Sequence, residues 1–191
     1  MSKILYVIDN NKKTQYHYDI EEDTIIYHFS INSSSEVFIN LCKEKASIKY
    51  YYNNINYKDN TFHITVHHSS NNTYSEVFNH GVNVLCDKLA YTVNGIVPNT
   101  SSKCICNQDN QIINLKDGKS TICPNLLIDN YDVDSNHAAY IGKFKDEELF
   151  YIMSRGISQK KADELLLKGF LIYDGVNLKE IPLFLEEIKK I

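Results

Sequence analysis

Several kinds of residue and segment are scarce or missing in this sequence of 191 residues. Basic residues do not dominate, because 20 lysine and arginine residues, among which Arg155 is the one arginine, stand against 24 acidic residues. The net charge of −4 provides no basic surface for a phosphate backbone, so nucleic acid is not the expected partner. No apolar run reaches the roughly 20 residues of a membrane-spanning helix, so we expect no membrane association.

A secretory signal and a disulfide framework are missing as well. The first residues, MSKILYVIDNNKK, hold five consecutive apolar residues before Asp9, which is the pattern of a strand and not of a signal peptide. We therefore expect a cytoplasmic protein. An odd number of cysteines in such a protein argues against structural disulfides. The five are Cys42, Cys86, Cys104, Cys106 and Cys123.

Motifs of common enzyme and metal-binding classes are also missing. The sequence has no P-loop, no G-x-S-x-G nucleophile motif and no H-E-x-x-H zinc motif. It has no C-x-x-C pair or Cys/His spacing typical of zinc sites. We expect a protein that has no enzymatic activity and does not itself bind ATP.

What the sequence does contain, up to about residue 144, is a series of short strands. Alternating patterns place Ile25, Tyr27 and Phe29 on one face of TIIYHFSIN, and Phe62 and Ile64 on one face of FHITVHH. Such runs recur roughly every 8–12 residues, which is typical of all-β proteins. Few tight hairpin signals separate them, and this favours a β-solenoid in which each coil stacks on the last. A β-sandwich remains an equal alternative from periodicity alone.

The character of the chain changes near Lys145. The last 47 residues hold 17 charged residues, against 27 in the first 144, and the apolar residues there recur at helical spacing. We therefore divide the chain into a β domain, residues 1–144, and a helical subdomain, residues 145–191. The apolar stripes of the helices are expected to pack mainly on the β domain, and the rest of their surface is available to a partner.

Capping signals predict three helices in the second part. The first is expected to have Asp146 as its N-cap and Gly156 just beyond its C-terminus. The second is expected between Ser158 and Gly169, and the third has Pro182 near its first turn.

One long stretch resembles the C-terminal signature of the SufB/SufD family, the scaffold proteins of the SUF system for iron–sulfur cluster assembly. It reads SNHAAYIGKFKDEELFYIMSRGISQKKADELLLKGF. The matching features are a histidine among small residues, an Ile-Gly turn, the segments LFY and SRGIS, and the terminal Gly-Phe. So many features in order over a long stretch are far more specific than a short motif.

The resemblance implies a right-handed parallel β-helix followed by a helical subdomain that docks the ABC-type ATPase SufC. It also implies that the β-helix pairs edge to edge with a SufB-like subunit or with a second copy, and that a transient iron–sulfur cluster forms near this pairing. The residues that it assigns to partner binding are Leu149, Phe150, Tyr151, Arg155, Gly156 and Phe170. The alternative for Arg155 is a structural role in fixing the turn between two helices.

Two residues become candidate cluster ligands through the resemblance. His137 matches the histidine of SufD-type members that helps to assemble the cluster, and neutral imidazole is a suitable iron ligand. The SufB-type cysteine corresponds to Asp109, 28 residues before His137, so the chain is more similar to SufD. Cys106 is the nearest cysteine and a weak candidate, because a one-residue shift turns a strand side chain to the other face. The alternatives are that His137 fills a polar corner and that Cys104 and Cys106 are buried structural thiols.

Two other functions remain open at this point. The chain could be a degenerate family member that serves only as an assembly or dimerisation module. It could also be a β-helix enzyme acting on polysaccharide, although the sequence shows neither an export signal nor an obvious catalytic cluster.

Overall fold

The computed structural model describes residues 2–85 and 87–191, so Cys86 lies outside the described residues, as does Met1. Within these ranges eleven strands are followed by three α-helices and one 3-10 helix. The strands are β1 (Lys3–Asn10), β2 (Lys13–Ile20), β3 (Thr24–Ile31), β4 (Ser34–Leu41), β5 (Ser47–Asn56), β6 (Asn60–His68), β7 (Tyr74–Asn83), β8 (Lys88–Val97), β9 (Cys104–Asn114), β10 (Lys119–Ile128) and β11 (Val133–Gly142). The helices are α1 (Asp146–Met153), α2 (Gln159–Leu171), the 3-10 helix (Leu178–Glu180) and α3 (Pro182–Lys190).

The strands form a parallel β-solenoid, as the resemblance implies. Odd-numbered strands build one sheet in the order β1-β3-β5-β7-β9-β11, and even-numbered strands build a second in the order β10-β8-β6-β4-β2. Neighbours within each sheet pair in parallel, and strands that follow each other in the chain lie in opposite sheets. This topology excludes a sandwich of hairpin-paired strands.

The side chains at every second position of each strand point inward and fill the space between the two sheets. Register places Ile26, Tyr50 and Val77 in one row across β3, β5 and β7, and all three are buried. From the two sheets, Tyr52 and Phe62 meet with ring centroids 3.6 Å apart. Burial of such large apolar side chains is the main stabilising contribution to the stack. Each coil contacts mainly its neighbours, so this burial occurs between adjacent coils.

Helices α2 and α3 cover the outer face of the odd-numbered sheet. This explains why strand β3 is almost entirely buried, whereas a sheet face open to water would alternate. Phe184 of α3 packs edge-on against Phe29 of β3, with ring centroids 4.9 Å apart. Leu167 and Leu171 of α2 are buried in the same cluster. The prediction that the apolar stripes pack on the β domain is thus confirmed for these two helices.

Two predicted helix ends differ from the structure. Lys145, not Asp146, is the N-cap of α1, so the acidic residue occupies the first turn, where it still complements the helix dipole. Helix α2 continues through Gly169 to Leu171, because packing of Leu171 on the sheet outweighs the low helix propensity of glycine. Within residues 2–85 and 87–191 no helix is both long and apolar enough to cross a membrane.

Candidate functional site

The final coil of the solenoid, formed by β10 and β11, leaves an edge strand at the end of each sheet. Strand β11 pairs with β9, and its eight central residues are all exposed. Large apolar side chains of this coil are also exposed, namely Leu127 at 58%, Tyr140 at 47% and Ile141 at 42%. Edge strands that present unpaired backbone groups and apolar side chains are templates for pairing with another chain.

His137 lies on this exposed strand, on the face that points toward the interior of the solenoid. Register pairs it with Gln108 of β9, and the neighbouring inward pairs are Ser135 with Cys106 and Ala139 with Asn110. Alternating burial along β9 shows that these β9 residues point inward. The imidazole itself is exposed because the described structure has no further coil above β11.

The same register separates Cys106, the weak candidate ligand, from Asp109, the position that corresponds to the SufB-type cysteine. Cys106 shares the inward face with His137 and is its diagonal neighbour. Asp109 lies on the outward face beside Ala138 and accepts a hydrogen bond from Gln111 at 3.1 Å. The structure therefore places Cys106, and not Asp109, on the side of His137.

Cys106 is a buried thiol in its present surroundings. Its side chain is 1% exposed, and burial raises the pKa of the thiol. Gly95 of the opposite sheet makes room for it, because a side chain at that position would collide with the Cys106 sulfur. Cys104 is equally buried, with its sulfur 3.3 Å from the Thr73 hydroxyl. In the structure both cysteines are therefore buried thiols. Iron binding by Cys106 would require the loss of its thiol proton.

A buried histidine near these thiols carries a hydrogen-bond network that the sequence analysis missed. The Thr73 hydroxyl donates to the Ser70 carbonyl at 3.0 Å, so it accepts from Nδ1 of His68 at 2.8 Å. Nε2 of His68 is then the acceptor for the Ser75 hydroxyl at 2.8 Å. Burial lowers the pKa of His68 to about 4, which keeps the ring neutral. Ser75 stands next to Cys106 in the register, so the network reaches the thiol.

Helix α1 forms a second surface, separate from the final coil. It has no buried residue, and Phe150 and Tyr151 are 75% and 60% exposed. The Arg155 guanidinium lies over the Tyr151 ring at 5.1 Å and donates to its hydroxyl at 3.0 Å. Gly156 is exposed and has a φ of 82°, which favours glycine.

The other two predicted partner-binding residues are half-buried. Leu149 is half-buried on α1, and Phe170 stacks on His80 of β7 with ring centroids 4.5 Å apart. The Phe170 carbonyl accepts a hydrogen bond from Nδ1 of His80 at 2.8 Å. Phe170 thus has a packing role between α2 and the sheet, which the sequence pattern did not predict. In the described part of the chain, no three His, Cys, Asp or Glu side chains are close enough to hold a metal ion.

Comparison with known proteins assigns the chain to a family. Residues 14–170, which run from β2 into α2, match the model of the family described as SUF system FeS cluster assembly, SufBD core domain. The chain belongs to the SufB/SufD family. This match confirms the resemblance, whereas the closer similarity to SufD-type members stays a prediction.

Individual SufB/SufD relatives match shorter stretches. A SufBD family protein of Pyrococcus horikoshii is 52% identical over 61 residues, which are 31% of this chain and 13% of that protein. Bacillus subtilis SufD is 33% identical over 117 residues, or 60% of this chain and 25% of SufD. Bacillus subtilis SufB is 38% identical over 63 residues, or 33% of this chain and 13% of SufB. The matched stretches therefore span a quarter or less of each of these relatives.

Proposed function

We propose that this protein is a non-enzymatic scaffold subunit in iron–sulfur cluster assembly. The observation that carries the proposal is that a SufB/SufD solenoid ends in an exposed coil bearing His137, while α1 presents a separate exposed apolar surface. Two surfaces of this kind suit a protein that holds two partners at once. Family membership also favours this function over a polysaccharide-active enzyme.

The final coil is the proposed pairing surface. A second β-helix, from a SufB-like subunit or another copy of this chain, would add its edge strands to β10 and β11 by β-augmentation. Exposed Ile141, which lies on the inward face of β11, would then become buried, and burial of apolar area favours association. His137 would lie at the resulting junction, where groups of both subunits could bind iron and sulfide as the cargo.

A test of pairing compares two exposed apolar residues on opposite ends of the solenoid. Ile141 is 42% exposed on β11, and Ile4 is 52% exposed on β1. We expect Ile141→Lys to weaken dimerisation, or association with a SufB-like subunit, at least tenfold, because a charge on the inward face of β11 would be buried at the junction. Light scattering coupled to size exclusion measures this, with Ile4→Lys as the matched control. Equal effects of the two variants would contradict pairing through the final coil.

Helix α1 is the proposed docking surface for a SufC-like ABC ATPase, which supplies the ATP binding that this chain is not expected to have. Exposed aromatic residues are the side chains that most often dominate protein interfaces, and Phe150 and Tyr151 are the exposed aromatics of α1. Arg155 holds the Tyr151 ring from one side, which reduces the side-chain freedom lost on binding.

A titration of the ATPase against the full chain tests the docking surface. The double variant Phe150→Ala/Tyr151→Ala should lower the affinity about 30-fold or more, as expected for interface hot spots. Leu183→Ala on α3 is the control, since Leu183 is 53% exposed and lies on a different helix. Unchanged ATPase affinity in the double variant would rule out α1 as the docking site.

The remaining alternative is a family member that only mediates assembly. Anaerobic reconstitution with iron and sulfide, in the presence of the partner subunits, separates the two functions. Visible absorbance that His137→Ala removes supports a cluster site at the junction. Absence of absorbance in the complete complex supports the assembly-only function.

A further inference from the structure

The side-chain amide of Gln108 reaches across the solenoid through its nitrogen, whereas its oxygen has no hydrogen-bond partner among the described residues. Its Nε2 donates to the Asn125 carbonyl of β10 at 3.2 Å. A carbonyl can only accept, so this bond fixes the orientation of the amide. The Oε1 atom is buried and has no hydrogen-bond partner among the described residues, and the Gln108 side chain as a whole is 5% exposed. Such an acceptor is costly when it stays unpaired.

The neighbouring strand carries a side chain that can donate a hydrogen bond to this oxygen. His137 of β11 lies directly opposite Gln108 on the same inward face, and adjacent strands are about 4.8 Å apart. The neighbouring inward positions on β11 are Ser135, which stands opposite Cys106, and Ala139, which has no side-chain donor. The imidazole of His137 is exposed, so rotation about its side-chain bonds meets no packed neighbour above it.

From this arrangement we infer that Gln108 is a positioning residue for His137. Its Oε1 accepts the N–H of one imidazole nitrogen when the ring turns inward, and this selects one neutral tautomer. The other nitrogen then carries its lone pair away from the interior, toward the open end of the solenoid. A ligating histidine depends on such an acceptor for its ring orientation and tautomer. The inference rests on the proposed role of His137 at the pairing junction.

Long-range ¹H–¹⁵N spectra of the isolated, ¹⁵N-labelled full chain test the inference without any iron. His137 signals are assigned by their loss in His137→Ala. We expect the tautomer ratio of His137 to differ about fivefold from that of His63, which is exposed on the outer face of β6, as a hydrogen bond of ordinary strength implies. Gln108→Leu should bring the two ratios together, and Gln108→Glu, which retains an acceptor oxygen, should keep them apart.

Gln111→Leu is the matched control, because Gln111 lies on the same strand and faces outward. It should leave the His137 ratio unchanged. A wild-type His137 ratio equal to that of His63 would overturn the inference even if Gln108→Leu fails to fold. A failure of the proposed function would give a different result. Cluster assembly would then stay intact in His137→Ala, while the tautomer ratio of His137 would still respond to the change at Gln108.

Discussion

The buried His68 should make this protein lose stability on acidification. Its pKa lies at about 4 in the folded chain because burial penalises the charged ring, against an ordinary value of 6.5. The unfolded chain therefore binds a proton between these two values, whereas the folded chain does not. Stability is full above about pH 6.5 and falls as the pH drops toward 4. The shift corresponds to about 3 kcal/mol of unfolding free energy between pH 7 and pH 4, at 1.36 kcal/mol per pKa unit.

Urea unfolding followed by circular dichroism at pH 7, 5.5 and 4 measures this effect. The variant His68→Gln retains groups that can bond Thr73 and Ser75 but cannot titrate, so it should lose about 3 kcal/mol less than the wild type over this range. His63→Gln is the matched control for the replacement of a histidine by glutamine, because His63 is exposed on the opposite face of the same strand. About a third to a half of the difference should be present at pH 5.5.

Burial also lowers the pKa of His28 and His80, so the wild type carries further losses of the same sign. The comparison of variants removes these shared contributions. Parallel loss of stability in wild type and His68→Gln would refute the account of His68 as a neutral, doubly bonded core residue.

Two further predictions concern packing. Gly95→Ala should destabilise the chain by about 1–3 kcal/mol, because the added methyl group would collide with the Cys106 sulfur. In a double-mutant cycle measured by urea unfolding, Cys106→Ala should recover part of that cost. Strictly additive costs would contradict the contact. Phe184→Ala should lower the free energy of unfolding by about 3–5 kcal/mol, because the ring is fully buried against Phe29. Leu183 is exposed on the same helix, so Leu183→Ala should change the free energy of unfolding by less than about 0.5 kcal/mol in the same assay. Similar costs would contradict the packing of α3.

The strands were predictable because alternation is a local property of the sequence. Phe62 and Ile64 point inward as the pattern indicates, and the family signature supplied the solenoid that alternation alone could not distinguish from a sandwich. The register was not predictable in the same way. It depends on the length of each coil, and only the structure shows that Gln108, and not Asp109, stands opposite His137.

Buried polar networks were also beyond sequence reasoning, since their members come from different coils. Asp9 of β1 accepts from Nε2 of His28 at 2.9 Å, while the Tyr50 hydroxyl donates to Nδ1 at 2.6 Å. These three residues are spread over β1, β3 and β5 and share no motif. Hydrogen bonds from His28, Thr14 and Tyr16 hold the pKa of the Asp9 carboxyl below its ordinary value, although burial alone would raise it.

A stack in which each coil is supported by its neighbours has a gradient of local opening along its axis. Strand β11 is supported by β9 on one side, so its amide protons should exchange with solvent sooner than those of β5, which lies between two strands. Strand β11, which carries His137, is consequently among the strands that open most readily. Binding of the proposed second subunit would slow that opening, which would couple the order of the histidine to the presence of the partner.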